Sequence, residues 1–297
     1  LLLFVPTILP HNLSAGELKL AGIFMDHAVL QRDIRVPVWG WSAPGSKVRV
    51  SFAGQQHSAT ADASGKWTVR LEPMEASSTG RELKATTSDG SVSIHDILVG
   101  EVWHASGQSN MAGHTNTAFL AEYERGKKVI EEIDNQQIRF CSIQMDPSGI
   151  PQKDLNMALA IEHESGTYNR WMPATPETYG PFSAIALFFA KELYSELQVP
   201  IGVIATPKGG AQIEYFVSAG SYKKMPSFKQ GSLDTMEGQE RAASYVATTI
   251  YNGRIHPILG YAVAGMIWYQ GESNTRSDAS QYSDKLSIMV QGLREAW

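Results

Sequence analysis

The stretch Gly100-Glu-Val-Trp-His-Ala-Ser-Gly-Gln-Ser-Asn-Met-Ala-Gly113 constrains the fold of this chain more than any other. Apolar Ile97, Leu98, Val99, Val102 and Trp103 run into small, turn-prone residues and stop at Gly107. A short apolar run bounded in this way reads as a buried strand. Ser109 and Asn110 then stand where the next helix would begin, among backbone N–H groups without a helical partner. A serine at such a corner is lifted out of the sheet, where nearby N–H groups can stabilise an oxyanion. The same residue would also serve as a plain helix cap, and this stretch alone does not choose between the two.

Two later stretches repeat the pattern. Ile201-Gly-Val-Ile-Ala-Thr-Pro-Lys-Gly-Gly-Ala-Gln-Ile-Glu-Tyr215 is an apolar strand ending in the pair Gly209-Gly210. Gly265-Met-Ile-Trp-Tyr-Gln-Gly-Glu-Ser-Asn274 is another, ending in amides and small polar residues. Three strands that end this way suit an α/β sheet whose site lies at the carboxyl ends of its strands.

Together the three blocks resemble the sialate O-acetylesterase branch of the SGNH hydrolases. That family carries a Gly-Gln-Ser-Asn-Met nucleophile block, a Gly-Gly block and a Trp-Tyr-Gln-Gly-Glu-Ser-Asn block. Here these are Gly107 to Met111, Gly209-Gly210 and Trp268 to Asn274, and the resemblance extends from about residue 17 to the end. It implies an SGNH-type, flavodoxin-like parallel sheet with helices on both faces, behind a small β domain. It also implies a carboxylic ester hydrolase with Ser109 as nucleophile and a backbone N–H of the glycine pair, Gly210, as oxyanion donor. A side-chain amide from the third block would be a further donor, and Asn274 and Gln270 stand nearly level for that role. Glu272 would orient or support.

The composition agrees with a folded, acidic chain. Of 297 residues, 43% are hydrophobic and 19% charged, so there is apolar material for well-buried cores. A formal net charge of −5 gives no basic stripe for nucleic acid. The single cysteine, Cys141, excludes an internal disulfide and lies in a strand-like run, where a buried small hydrophobe is expected. No Cys/His cluster has zinc-ligand spacing, and no cofactor is implied.

Along the chain, residues 1–16 are an apolar decapeptide followed by Ser14-Ala15-Gly16, which read as the end of a signal peptide and point to a secreted or periplasmic protein. The apolar decapeptide is too short to span a bilayer. Residues 17–99 show period-two strands separated by turns such as Ala43-Pro-Gly-Ser46 and Ser64-Gly65, so a β-sandwich is expected there. Residues 100–297 alternate strands with helices and form the expected hydrolase domain. Within it, 118–133, 182–197, 237–254 and 280–297 read as helices, and 137–143, 199–204 and 261–269 as strands. The span 146–180 reads as a long loop overhanging the nucleophile.

The base is missing from this pattern. The resembled family takes its histidine from an Asp-x-x-His motif, and no aspartate here has a histidine three residues on. His104, His114 and His256 lie in other contexts. The expectation is that the catalytic Asp and His lie beyond Trp297. The function expected is removal of O-acetyl groups from carbohydrate, with sialic acid as the leading substrate. Alternatives are an acetylxylan-type polysaccharide esterase and a non-catalytic glycan-binding relative.

Overall fold

The computed structural model describes residues 16–114, 134–144, 147–155, 162–163, 166–225, 246–275 and 279–297. The expected leader (1–16) except Gly16 and the helix expected over 118–133 lie outside the described residues, as does the first half of the helix expected over 237–254. The first strands are β1 (Lys19–Leu20), β2 (Val29–Gln31), β3 (Val36–Trp41), β4 (Lys47–Phe52), β5 (Gln55–Thr60), β6 (Lys66–Leu71) and β7 (Ser77–Thr86). In β4 and β6 valine, tryptophan, leucine and phenylalanine alternate with exposed polar residues, so each strand buries one face. The sheet β1-β3-β6 lies apart in hydrogen bonding from a second, nine-stranded sheet that contains β2, β4, β5 and β7.

The nine-stranded sheet turns on β8, a single strand of 17 residues from Ser91 to Gly107. Its first half pairs antiparallel with β7 and parallel with β2. Its second half, from Glu101, pairs parallel with β13 (Ile201–Ala205) and β14 (Gly265–Tyr269). β9 (Asn135–Ser142) adds to the far side of β13 in parallel, giving the order β9-β13-β8-β14. The boundary expected after Val99 therefore falls inside one continuous strand.

A mixed α/β architecture with one large mixed sheet results, and it has few helices among the described residues. These are α1 (Ser109–Ala112), α2 (Ala184–Leu197), α3 (Ala219–Lys223) and α4 (Tyr282–Ala296). α2 starts where Ser183 accepts a bond from the Ala186 N–H, and it buries Ala184, Ala186, Leu187 and Ala190. Within 146–180, read as loop from sequence, there are three short strands: β10 (Glu162–His163), β11 (Gly166–Thr167) and β12 (Trp171–Ala174). β12 pairs antiparallel with β9 and closes that edge, an arrangement masked in sequence by its four-residue length and by Pro173. Tyr251–Ile255 is a single π turn, and the strand expected over 261–269 covers only its second half.

One core joins the two parts. Val29, Leu30, Leu98 and Val99 cluster with Cys141, Ile143, Trp171, Ile204 and Tyr261. Burial pushes the Cys141 thiol up, which fits its expected packing role. The Trp171 indole N–H donates to the Ile23 carbonyl at 3.1 Å, and the Tyr261 hydroxyl to that of Val29 at 2.7 Å.

Candidate active site

The corner after β8 is built by a close approach of backbones. Gly107 has φ +143°, and a Cβ there would lie 2.1 Å from the Tyr269 carbonyl oxygen. Only glycine fits both conditions. The next amide, that of Gln108, donates to the same Tyr269 carbonyl at 3.0 Å, while the Lys208 N–H donates to the Gly107 carbonyl at 2.9 Å. The three strand ends are thereby tied at one point. The chain then enters α1, whose N-cap is Gln108 and whose Met111 is buried as an anchor.

Ser109 is the first helical residue and is exposed. The cap position belongs to Gln108, and it makes no side-chain capping bond. Ser109 Oγ has no hydrogen-bond partner among the described residues, so the plain-cap reading has no geometric support. Ser109 shares an open cleft of about 620 Å³ with Gln108, Gly210, Gln212, Tyr215, Glu272, Ser273 and Thr275. Gly210 is exposed with φ +71°, so its backbone approaches the cleft without a side chain in the way. The structure thus brings Ser109 and Gly210 together. Glu272 also reaches the cleft and accepts a hydrogen bond from the Asn110 amide.

Gln270 and Asn274 lie behind this wall, both buried. Asn274 donates Nδ2 to Glu214 Oε2 at 2.9 Å, and its Oδ1 accepts from the Ile213 N–H at 3.0 Å and from Gln270 Nε2 at 2.7 Å. Gln270 Nε2 also lies 3.1 Å from both Gln108 Oε1 and the Ala211 carbonyl. Both amide nitrogens are engaged by acceptors behind the wall, and neither residue lines the cleft beside Ser109. The reason is the acceptor-only carboxylate of Glu214, which claims the Asn274 nitrogen and turns the rest of the chain of amides. Glu214 in turn pairs with Lys285 of α4 at 2.5 Å, and both are buried.

Sequence reading missed Glu214 and Lys285. A signal for Lys285 was present: it sits on the stripe that continues to Met289 and Leu293, a charge on the buried face of an amphipathic helix. Gln108 was quoted only as part of its block.

None of His104, His114 and His256 lines the cleft of Ser109. His104 is fully buried, joined through Nε2 to Thr206 Oγ1 at 2.7 Å, and burial pulls its pKa down to about 3. His256 Nδ1 meets the Gln152 carbonyl at 2.7 Å, and His114 forms a backbone bridge to Ser183 with its ring beside Tyr168. Among the described residues there is no group of three or more His, Cys, Asp or Glu that could hold a metal ion. No helix among them is long and apolar enough to cross a membrane.

Comparison with known proteins gives consistent results. Human sialate O-acetylesterase is 28% identical over 99% of this chain and 56% of its own length. The mouse sialate O-acetylesterase is 25% identical over 96% of this chain and 57% of its own. The crystal structure of a carbohydrate acetylesterase from Xanthomonas citri superposes with a TM-score of 0.78 at 33% identity, covering 94% of this chain and 57% of that one. The chain spans about half the length of the curated relatives it matches. The family described as carbohydrate esterase, sialic acid-specific acetylesterase, matches residues 99–297. That match takes in more than half of the sequence and all three strand-end blocks, and the chain belongs to this family of carbohydrate esterases.

Proposed function

We propose that this protein is a serine esterase that removes O-acetyl groups from carbohydrate, with acetylated sialic acid as its substrate. The observation that carries the reading is Ser109, exposed and without a capping bond, in one cleft with Gly210. Family membership and the names of the relatives support the ester and the sugar.

In this reading Ser109 Oγ attacks the acetyl carbonyl carbon, and its proton passes to a base. The carbonyl oxygen takes up negative charge and is met by the backbone N–H groups of Ser109 and Gly210. Collapse of the tetrahedral intermediate breaks the bond to the sugar oxygen, which leaves with the proton held by the base. Water then attacks the acetyl-serine, acetate departs and Ser109 regains its proton. The base is supplied by a group outside the described side chains. Gln270 and Asn274 act from behind the cleft wall. Secretion, expected from the apolar opening residues, belongs to the same proposal.

The test is a direct competition in the full-length protein between 9-O-acetylated sialic acid and acetylated xylan, following acetate release. A higher kcat/KM for the sialic acid is expected. A clear preference for xylan would replace the substrate assignment with the polysaccharide one.

A further inference from the structure

We infer that the side-chain donor at this site is Gln108, whose Nε2 faces the cleft beside Ser109 and meets the oxygen that becomes negative during acyl transfer. The inference rests on the reading of Ser109 as nucleophile. Its ground is the direction of the buried amides. The Gln108 Oε1 accepts from the Ser273 backbone N–H at 2.9 Å, with the Gly271 N–H at 3.4 Å, and from Gln270 Nε2 at 3.1 Å. Backbone N–H groups are donors only, so this end of the amide must be the oxygen. The nitrogen is thereby turned the other way. It makes no hydrogen bond among the described residues, yet it is not sealed in as Gln270 Oε1 is, because Gln108 lines the cleft.

The rest of the network keeps that direction. Lys285 is donor-only and holds Glu214, whose carboxylate accepts the Asn274 nitrogen. Asn274 Oδ1 then accepts from Gln270 Nε2, and the same nitrogen reaches Gln108. Turning Gln270 over would aim its oxygen at three acceptors: Gln108 Oε1, the Ala211 carbonyl and Asn274 Oδ1. The price of the arrangement is visible in Gln270 Oε1, which is buried without a partner among the described residues. An unpaired buried acceptor is costly, and such groups gather where a site needs a fixed polarity. The amides expected from sequence to face the oxyanion thus serve as positioning residues for a different amide.

The experiment compares Gln108→Glu and Gln108→Met with the parent protein at full length, using p-nitrophenyl acetate and a boronic acid that forms a tetrahedral adduct on serine. Glutamate keeps the acceptor for Ser273 but offers the oxyanion no donor, and methionine matches the length without charge. Both are expected to lower kcat by on the order of a hundredfold with KM within about threefold. Boronate affinity should fall in parallel, which a merely structural role would not require. Circular dichroism identifies any variant that does not fold, and the other then carries the test. If a folded variant keeps turnover within about threefold while Ser109→Ala is inactive, the assignment of Gln108 is overturned and the nucleophile stands. If Ser109→Ala also keeps its turnover, the nucleophile reading fails and this inference falls with it.

Discussion

Single residues at the corner show how little freedom the site has. Gly107 combines a positive φ with a carbonyl at the place of a Cβ, which ties the end of β8 to the end of β14. Three residues earlier, His104 sits fully buried, with Nδ1 unpartnered among the described residues and its ring 5.3 Å from that of Trp297. Thr206 donates to Ser106 Oγ, so its own oxygen receives the His104 Nε2–H, and burial favours the neutral imidazole. With a folded pKa of about 3, below the ordinary 6.5, the unfolded chain binds a proton that the folded chain refuses between these values. Stability from this residue is therefore fully present above about pH 6.5 and is lost as pH falls toward 3. Between pH 7 and pH 5 the parent protein should lose about 2 kcal/mol more unfolding free energy than His104→Gln, read from urea titrations at each pH. Parallel curves for the two proteins would show that His104 takes up its proton equally in the folded and unfolded chains.

At the scale of elements, the site depends on a helix distant in sequence. α4 sends Lys285 to Glu214, on the short 3-10 turn Ile213–Phe216 that follows the glycine pair. Breaking a buried pair from one side leaves a charge uncompensated, at a cost of about 3–5 kcal/mol. Lys285→Met should destabilise by that order in chemical denaturation, and Lys285→Met combined with Glu214→Leu should recover part of the loss. A single variant of unchanged stability would mean that the pair is hydrated and holds nothing in place. The three strand ends were legible in sequence because apolar runs stopping at glycine or small polar residues have few other readings. The final helix and the one after Phe182 were legible from their spacing. The amide directions were not, because they are set by Lys285, 71 residues from Glu214. Nor was the length of β8, since one strand changes its partners at Glu101 with no change in its own pattern.

For the molecule as a whole, the shared core is the main departure from a modular picture of the sequence. Residues 17–99 hold short strands such as β4 and β6 that bury one face, but β8 continues through the expected boundary and its neighbours pack into one cluster with Trp171, Ile204 and Tyr261. Arg139 of β9 adds an ion pair to Asp96 at 2.9 Å. Packing of this kind couples the β-rich portion to the α/β portion, so the two should unfold together in calorimetry as one transition. Two resolved transitions, one assigned to each portion, would show that the common core contributes little. The same coupling holds the end of β8, and with it Ser109, at a fixed place over the sheet. Ser109 Oγ makes no hydrogen bond among the described residues, so removing it should change stability by no more than about 0.5 kcal/mol. Its effect on activity should be large. The decisive measurement is acetate release from an acetyl ester by full-length Ser109→Ala, with folding verified by circular dichroism. A loss of turnover of at least about a thousandfold is expected; a folded variant that retains near-parental turnover would contradict the assignment of Ser109 as nucleophile.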